Sequence, residues 1–196
     1  MMKNSLELKI DLNSKDIKGW TAFHLACWKG HLGIAEMIMK KQSELKIDLN
    51  SKSNVGCTAF HLACDNGHSE IAEMIMKNTS KLNIDLNSKD CGDQTAFHQA
   101  CSNDHLEIAE MIMKNSSELE IDLNSKDDDG ETAFHVACAY GHSEIAEMIM
   151  KKSSALKINL NIKDNYGCTA FHPLVREDSG YFHAHRFFRS LRKDIE

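Results

Sequence analysis

The tetrapeptide T-A-F-H begins at Thr21, Thr58, Thr95, Thr132 and Thr169, at constant intervals of 37 residues. A self-similar period of about 20 to 50 residues commits a chain to an array of like units, because one unit cannot bury its apolar face alone and must stack on its neighbours. The longer pattern is D-D-D-G-E-T-A-F-H-V-A-C-A-Y-G-H-S-E-I-A-E-M-I-M-K, from Asp127 to Lys151. From Ala133 to Ala139 there is no helix breaker, and Gly141 suits the left-handed conformation that closes a helix. Beyond it, Ile145, Met148, Ile149 and Lys152 follow helical spacing and predict a second, amphipathic helix. Between units runs I-D-L-N-S-K-D-x-x-G, which reads as a hairpin-like finger. Each unit is thus helix, turn, helix, finger. A propeller blade would need four strands in the same length.

Composition narrows the class. One proline in 196 residues leaves almost nothing to interrupt helices. The formal charge of -6 argues against a general nucleic-acid binder, which carries a basic surface. No stretch approaches the roughly 20 apolar residues of a membrane span, and the opening M-M-K-N-S-L-E-L-K-I-D lacks an apolar signal core. The expectation is a soluble, intracellular monomer, cytoplasmic with a nuclear setting left open. Cys27, Cys64, Cys101 and Cys138 all occupy the same A-C phrase. They read as reduced packing thiols, since buried free cysteine behaves as a small hydrophobe. Cys57, Cys91 and Cys168 fall in turns.

The pattern D-x-x-G-x-T-A-F-H-x-A-C-x-x-G-H-x-x-I-A resembles the ankyrin repeat, usually D-x-x-G-x-T-P-L-H-x-A-A-x-x-G-H, and does so in register from residue 2 to about 172. The resemblance implies an all-α ankyrin-repeat solenoid, a right-handed stack of helix pairs with projecting fingers and a concave, protein-binding groove. The units are 16–52, 53–89, 90–126, 127–163 and a divergent fifth, 164–196, with 1–15 the remnant of a preceding repeat.

The departures carry expectations of their own. Alanine replaces proline at the first helical position (Ala22, Ala59, Ala96, Ala133, Ala170), keeping helix propensity while fixing no dihedral. Phenylalanine replaces leucine at Phe23, Phe60, Phe97, Phe134 and Phe171, which predicts a core of stacked aromatics and methionines. Four additional residues per unit lie before I-D-L-N, as at Asn115 to Glu118, close to one helical turn. With Ile71, Ile75 and Leu82 on one face, they predict a longer outer helix rather than a disordered insert. In unit three Asp93 and Asp104 stand where the other units have glycine. That unit is expected to be the least stable, by roughly 1 kcal/mol per site. The chain opens inside an outer helix with no polar cap, so a fragment of a longer array or a truncated member is expected, with Phe23 partly exposed. After His172 the residues Ala184, Phe188, Leu191 and Ile195 predict one apolar face of a C-terminal cap helix. Its basic face, Arg186, Arg189, Arg192 and Lys193, reads as solvated rather than as a docking site for an acidic partner.

Nine of the eleven histidines belong to the repeat: His24, His61, His98, His135 and His172 in T-A-F-H, and His31, His68, His105 and His142 after the turn. The resemblance implies that the first group bonds the threonine and the finger backbone. His183 and His185 fall on different helix faces and lack metal-ligand spacing. No nucleophile motif, phosphate-binding loop or metal-hydrolase helix is present. Glu36, Glu73, Glu110 and Glu147 read as solvated outer-helix positions, and the Met-Ile-Met stripes as core. Asn13, Asn50, Asn87 and Asn124 occupy a position hydroxylated in some ankyrin proteins, although the insert disturbs the leucine spacing upstream. No enzyme activity, metal or cofactor is expected.

In the ankyrin pattern the variable positions of D-x-x-G-x-T and A-x-x-G-H face the groove. Here they are Ile17, Lys18, Trp20, Trp28 and Lys29 in unit one and Asn54, Val55, Cys57, Asp65 and Asn66 in unit two. Unit three contributes Gln94, Ser102 and Asn103, unit four Asp128, Asp129, Glu131, Ala139 and Tyr140, and unit five Tyr166. These are places where near-identical copies differ. Both tryptophans fall in unit one beside two lysines, so the groove is expected to run from an aromatic, basic end to an acidic one. The alternative is that Trp20 and Trp28 cover the exposed edge of the stack. The expected function is a scaffold, adaptor or inhibitor binding another protein. The second reading is the ankyrin portion of a larger protein such as a ubiquitin-ligase adaptor or a channel.

Overall fold

The computed structural model describes residues 11–172. In chain order the helices are α1 (Ala22–Trp28), α2 (Leu32–Leu45), α3 (Ala59–Asp65), α4 (Ser69–Leu82), α5 (Ala96–Ser102), α6 (Leu106–Asn115), α7 (Ala133–Tyr140) and α8 (Ser143–Leu156). The short odd-numbered helices pack on one another in series, the even-numbered helices form a second series, and each odd helix packs on the even helix that follows it. The result is a two-layer, all-α solenoid, with no strand among the described residues. No described helix is long and apolar enough to cross a membrane. Residues 1–10 of the N-terminal remnant (1–15) and the cap beyond His172, with Arg186, Arg189, Arg192, Lys193, His183 and His185, lie outside the described residues.

Each inner helix starts at a threonine N-cap in extended conformation, Thr21 having φ -86° and ψ 171°. Each closes within two turns because a left-handed residue follows: Gly30 (φ 72°), Gly67 (φ 72°), Asp104 (φ 58°) and Gly141 (φ 76°). Asp104 takes the left-handed conformation in place of glycine, and Asp93 (φ 57°) does the same in its finger. The outer helices α2, α4 and α8 are each 14 residues long, so in these units the four extra residues extend the helix. Helix α6 stops after 10 residues. There the Met113 carbonyl accepts both the Ser116 N–H (3.4 Å) and the Ser116 hydroxyl (2.9 Å), and the chain continues in turns to Glu120. All four units still end at a left-handed residue at the same register: Lys46, Asn83, Glu120 and Lys157.

The core is more aliphatic than the phenylalanines suggest. Ile71, Ile75, Ile108, Ile112, Ile145 and Ile149 are fully buried, with alanine and cysteine filling the closest approaches. Phe23, Phe60, Phe97 and Phe134 are buried, yet the ring-to-ring contact among the described phenylalanines is Phe134 with Phe171, at 5.4 Å. Phe23 is 2% exposed, contrary to the expectation of a partly exposed ring. The exposed large apolar residues of unit one are Ile17 on its finger and Leu25, Ile34, Met37 and Leu45 on its helices. Ile34 is 47% exposed whereas its counterparts Ile71, Ile108 and Ile145 are at 1% or less, because no described unit packs against that face.

Candidate protein-binding surface

The surface is built on fingers whose shape is fixed by hydrogen bonds that the repeat supplies. Asp16 Oδ1 accepts from the N–H groups of Lys18 and Trp20, both at 2.8 Å, closing a turn that Gly19 completes with φ 76°. Asp90, Asp127 and Asp164 repeat this geometry. In unit two Ser53 stands in the aspartate's place and accepts from Cys57 N–H alone, at 3.1 Å, a substitution the D-x-x-G pattern passes over. Adjacent fingers join through backbone bonds, Asn54 N–H to the Lys18 carbonyl (2.9 Å), Cys91 to Val55 (3.0 Å), Asp128 to Gly92 (3.0 Å) and Asn165 to Asp129 (2.9 Å). A Cβ on Gly56 would come within 2.7 Å of the Cys91 nitrogen, so both the dihedral and the neighbouring finger require glycine there.

Histidine, asparagine and lysine rows lock each finger to the next unit. Thr21 N–H donates to His24 Nδ1 at 3.2 Å. The ring is therefore protonated at Nε2, which donates to the Cys57 carbonyl at 3.1 Å. His61 bonds the Gln94 carbonyl and His98 the Glu131 carbonyl in the same way, whereas His135 faces Cys168 without closing a well-formed bond. Burial holds all four below the ordinary histidine value of 6.5, against the opposing pull of the carbonyls. The second histidine row serves the inner helix ends. His68, His105 and His142 Nε2 reach the carbonyls of Trp28 (3.0 Å), Asp65 (3.0 Å) and Ser102 (2.9 Å), which terminate α1, α3 and α5. Asn50 donates to the Asn83 carbonyl (2.8 Å) and accepts from Asp85 N–H (2.9 Å), and Asn13, Asn87 and Asn124 make the equivalent pair. Sequence reasoning missed the lysine row: Lys15, Lys52, Lys89 and Lys126 each donate to the carbonyl of the lysine one unit on, at 2.6–2.8 Å. Its signal was available in the invariant lysine of S-K.

On this frame the variable side chains sit as follows. Trp20 and Trp28 meet edge to face at 5.0 Å between centroids. The Lys18 ammonium lies 5.0 Å from the Trp20 ring centre, and that of Lys29 lies 3.8 Å from the Trp28 ring centre. Ile17 is almost wholly exposed beside them, as is much of Val55 on the next finger. Asp65 accepts from Asn66 (3.2 Å) and from Asn103 of the following unit (3.0 Å), while Gln94 accepts from Gln99 at 3.0 Å. Gln99 also reaches Asp90 Oδ2 at 3.3 Å, so Gln99 and Asp90 belong to this polar floor although the variable-position rule does not select them. Ser102 is half-buried at the end of α5. Asp128 and Asp129 are exposed at the fourth finger tip, Glu131 and Ala139 are half-buried, Tyr140 stacks on His142 at 6.0 Å, and Tyr166 is exposed on the last described finger. The tryptophan–lysine group and the Asp65–Asn66–Asn103 group are thus single clusters. Asp128, Asp129 and Tyr166 belong to neither.

Little here supports bond-making chemistry. Burial pushes the thiols of Cys27, Cys64, Cys101 and Cys138 up, that of Cys138 to about 12, so they are held as unreactive thiols. Burial and then Asp90 raise Cys57 to about 11. Among the described residues no group of three or more histidine, cysteine, aspartate or glutamate side chains is arranged to hold a metal ion. Glu36, Glu73 and Glu147 pair with the lysines four residues on, and Glu110 with Lys152 at 2.9 Å, all on the outer helices.

Two family models match the sequence. One, described as ankyrin repeats (3 copies), matches residues 43–124, 81–164 and 117–188, and the other, ankyrin repeats (many copies), matches residues 2–38. No curated protein matches the chain. With the helix pairs, the left-handed closures and the T-A-F-H locks all in register, these matches show that the chain belongs to the ankyrin-repeat family.

Proposed function

We propose that the chain is a protein-binding module, a scaffold, adaptor or inhibitor, that engages its partner along the strip of finger tips and inner-helix ends. Ankyrin repeats are generally protein–protein interaction modules and typically non-catalytic. The working units are taken as 16–52, 53–89, 90–126, 127–163 and 164–196; the first four each contribute one finger and one inner helix to the strip, and Tyr166 lies on the fifth finger. The observation that carries the reading is the Trp20–Trp28 pair, two large half-buried rings packed together and flanked by lysines at positions where the otherwise near-identical copies differ. Tryptophan is over-represented among residues whose truncation costs about 2 kcal/mol or more of binding. The Trp28 carbonyl is bonded to His68, so the backbone under this anchor is set before any partner arrives. The test is to isolate partners from the native cell by affinity purification and to titrate them against variants. Trp20→Ala and Trp28→Ala are each expected to weaken binding about tenfold or more, with unchanged helicity by circular dichroism. A double variant that binds normally would place the partner elsewhere and leave the tryptophans as cover for the edge of the stack.

A further inference from the structure

Resting on that reading, we infer that the partner presents an extended segment of opposed charges, with a carboxylate beside an apolar or aromatic residue at one end and a lysine or arginine at the other. The first end is set by the tryptophan–lysine cluster. Lys18 and Lys29 are exposed and held over the rings of Trp20 and Trp28, and neither pairs with a carboxylate among the described residues. An ammonium over a ring keeps its N–H donors for an incoming carboxylate, while the rings take the adjoining apolar group. The second end is the fourth finger tip, where Asp128 and Asp129 are exposed and pair with no cation among the described residues. Between the ends, Asp65, Asn66 and Asn103 already satisfy one another and present a fixed polar floor.

The spacing follows from the stack. Unit one and unit four are separated by three helix-to-helix steps, α1 to α3 to α5 to α7. At about 8–10 Å per step the ends lie about 25–30 Å apart. An extended chain advances about 3.3 Å per residue, so the opposed charges on the segment lie about eight or nine residues apart. A polyanion fits the first end and is repelled by the second and by the net charge of -6, which favours a protein segment over nucleic acid.

The probe is a phage-displayed library of random peptides about 16 residues long, long enough to span the two ends, panned against the full chain. The wild-type protein is expected to enrich peptides with Asp or Glu next to an aromatic or apolar residue, separated by about eight or nine residues from Lys or Arg. Lys18→Glu with Lys29→Glu should cut binding of those peptides at least about tenfold and select bases at that end; Asp128→Lys with Asp129→Lys should do the converse. All four positions are exposed, and retained helicity verifies that each variant is folded. Enriched peptides that need Trp20 and Trp28 but show no charge separation, or that ignore the charge reversals, overturn this inference alone. Absence of any enriched peptide, or enrichment indifferent to Trp20→Ala with Trp28→Ala, overturns the groove reading as well. A labelled single-stranded oligonucleotide that binds with dependence on Lys18 and Lys29 overturns the assignment to a protein segment.

Discussion

The T-A-F-H histidines join local and long-range order in one ring. Nδ1 accepts from the threonine that caps the helix, and Nε2 donates across 33 residues to the next finger in units one to three. Only the neutral imidazole can do both, because a proton on Nδ1 would face the threonine N–H. Each such bond contributes about 1 kcal/mol net. Because the folded pKa of His24, His61, His98 and His135 lies below 6.5, the unfolded chain takes up protons first as the pH falls. The stability these groups contribute is therefore complete above about pH 6.5 and is lost as the pH drops from there through the lower folded values. Urea unfolding from pH 8 to pH 5 should show a midpoint that is flat at the alkaline end and then falls. The slope should approach about 1.4 kcal/mol per pH unit for each histidine that titrates only on unfolding. A midpoint that rises on acidification would contradict the neutral-ring assignment.

At the scale of the element, the fingers show how one residue serves two constraints. A glycine at the tip must adopt positive φ and must also admit the neighbouring finger, as Gly56 admits Cys91. Unit three meets the first constraint with Asp93 (φ 57°), and an L-residue in that region is strained by about 1 kcal/mol. Gly56→Ala should therefore lower stability by about 2 kcal/mol or more, through the dihedral and the backbone contact together. Asp93→Gly should raise it by about 0.5–1 kcal/mol, by releasing the strain. Thermal melts of the two variants check the pair; a stabilising Gly56→Ala or a destabilising Asp93→Gly would sink the argument. The outer helices make a related point, since α6 carries nearly the same residues as its neighbours yet yields its last turn to tighter bonds around Ser116.

Across the whole molecule, each unit contacts its neighbours, so protection should follow the number of neighbours a unit has. Unit four is packed by unit three on one side and by the described start of unit five on the other, through Phe134 against Phe171 and Asn165 N–H to the Asp129 carbonyl, and its Ile145 and Ile149 are fully buried. Unit one leaves Leu25, Ile34 and Met37 exposed on its free described face while Phe23 stays covered. Hydrogen exchange followed by mass spectrometry should find the amides of residues 16–40 faster than those of residues 127–150. The difference should concentrate on α2 rather than on the start of α1, where Phe23 is buried. Equal protection of both segments would show that the exposed apolar face costs unit one nothing.

The recurrence of T-A-F-H, the breaker-free inner segment and the helical spacing of Ile145, Met148 and Ile149 determined the fold, because period and amphipathicity are properties of order along the chain. The left-handed role of Asp93 and Asp104 was legible for the same reason, since each replaces a residue whose conformation the other copies declare. The surface was legible only as a set of variable positions. That Trp20 and Trp28 touch, that Lys18 and Lys29 lie over them, and that Asp65 ties Asn66 to Asn103 depend on contacts between a finger, a helix end and the next unit. The lysine row, the histidines that satisfy the inner-helix carbonyls, the burial of Phe23 and the shortened α6 were likewise decided by stacking. A repeated sequence states which residues are equivalent, whereas the packing of one unit on the next decides which atoms meet.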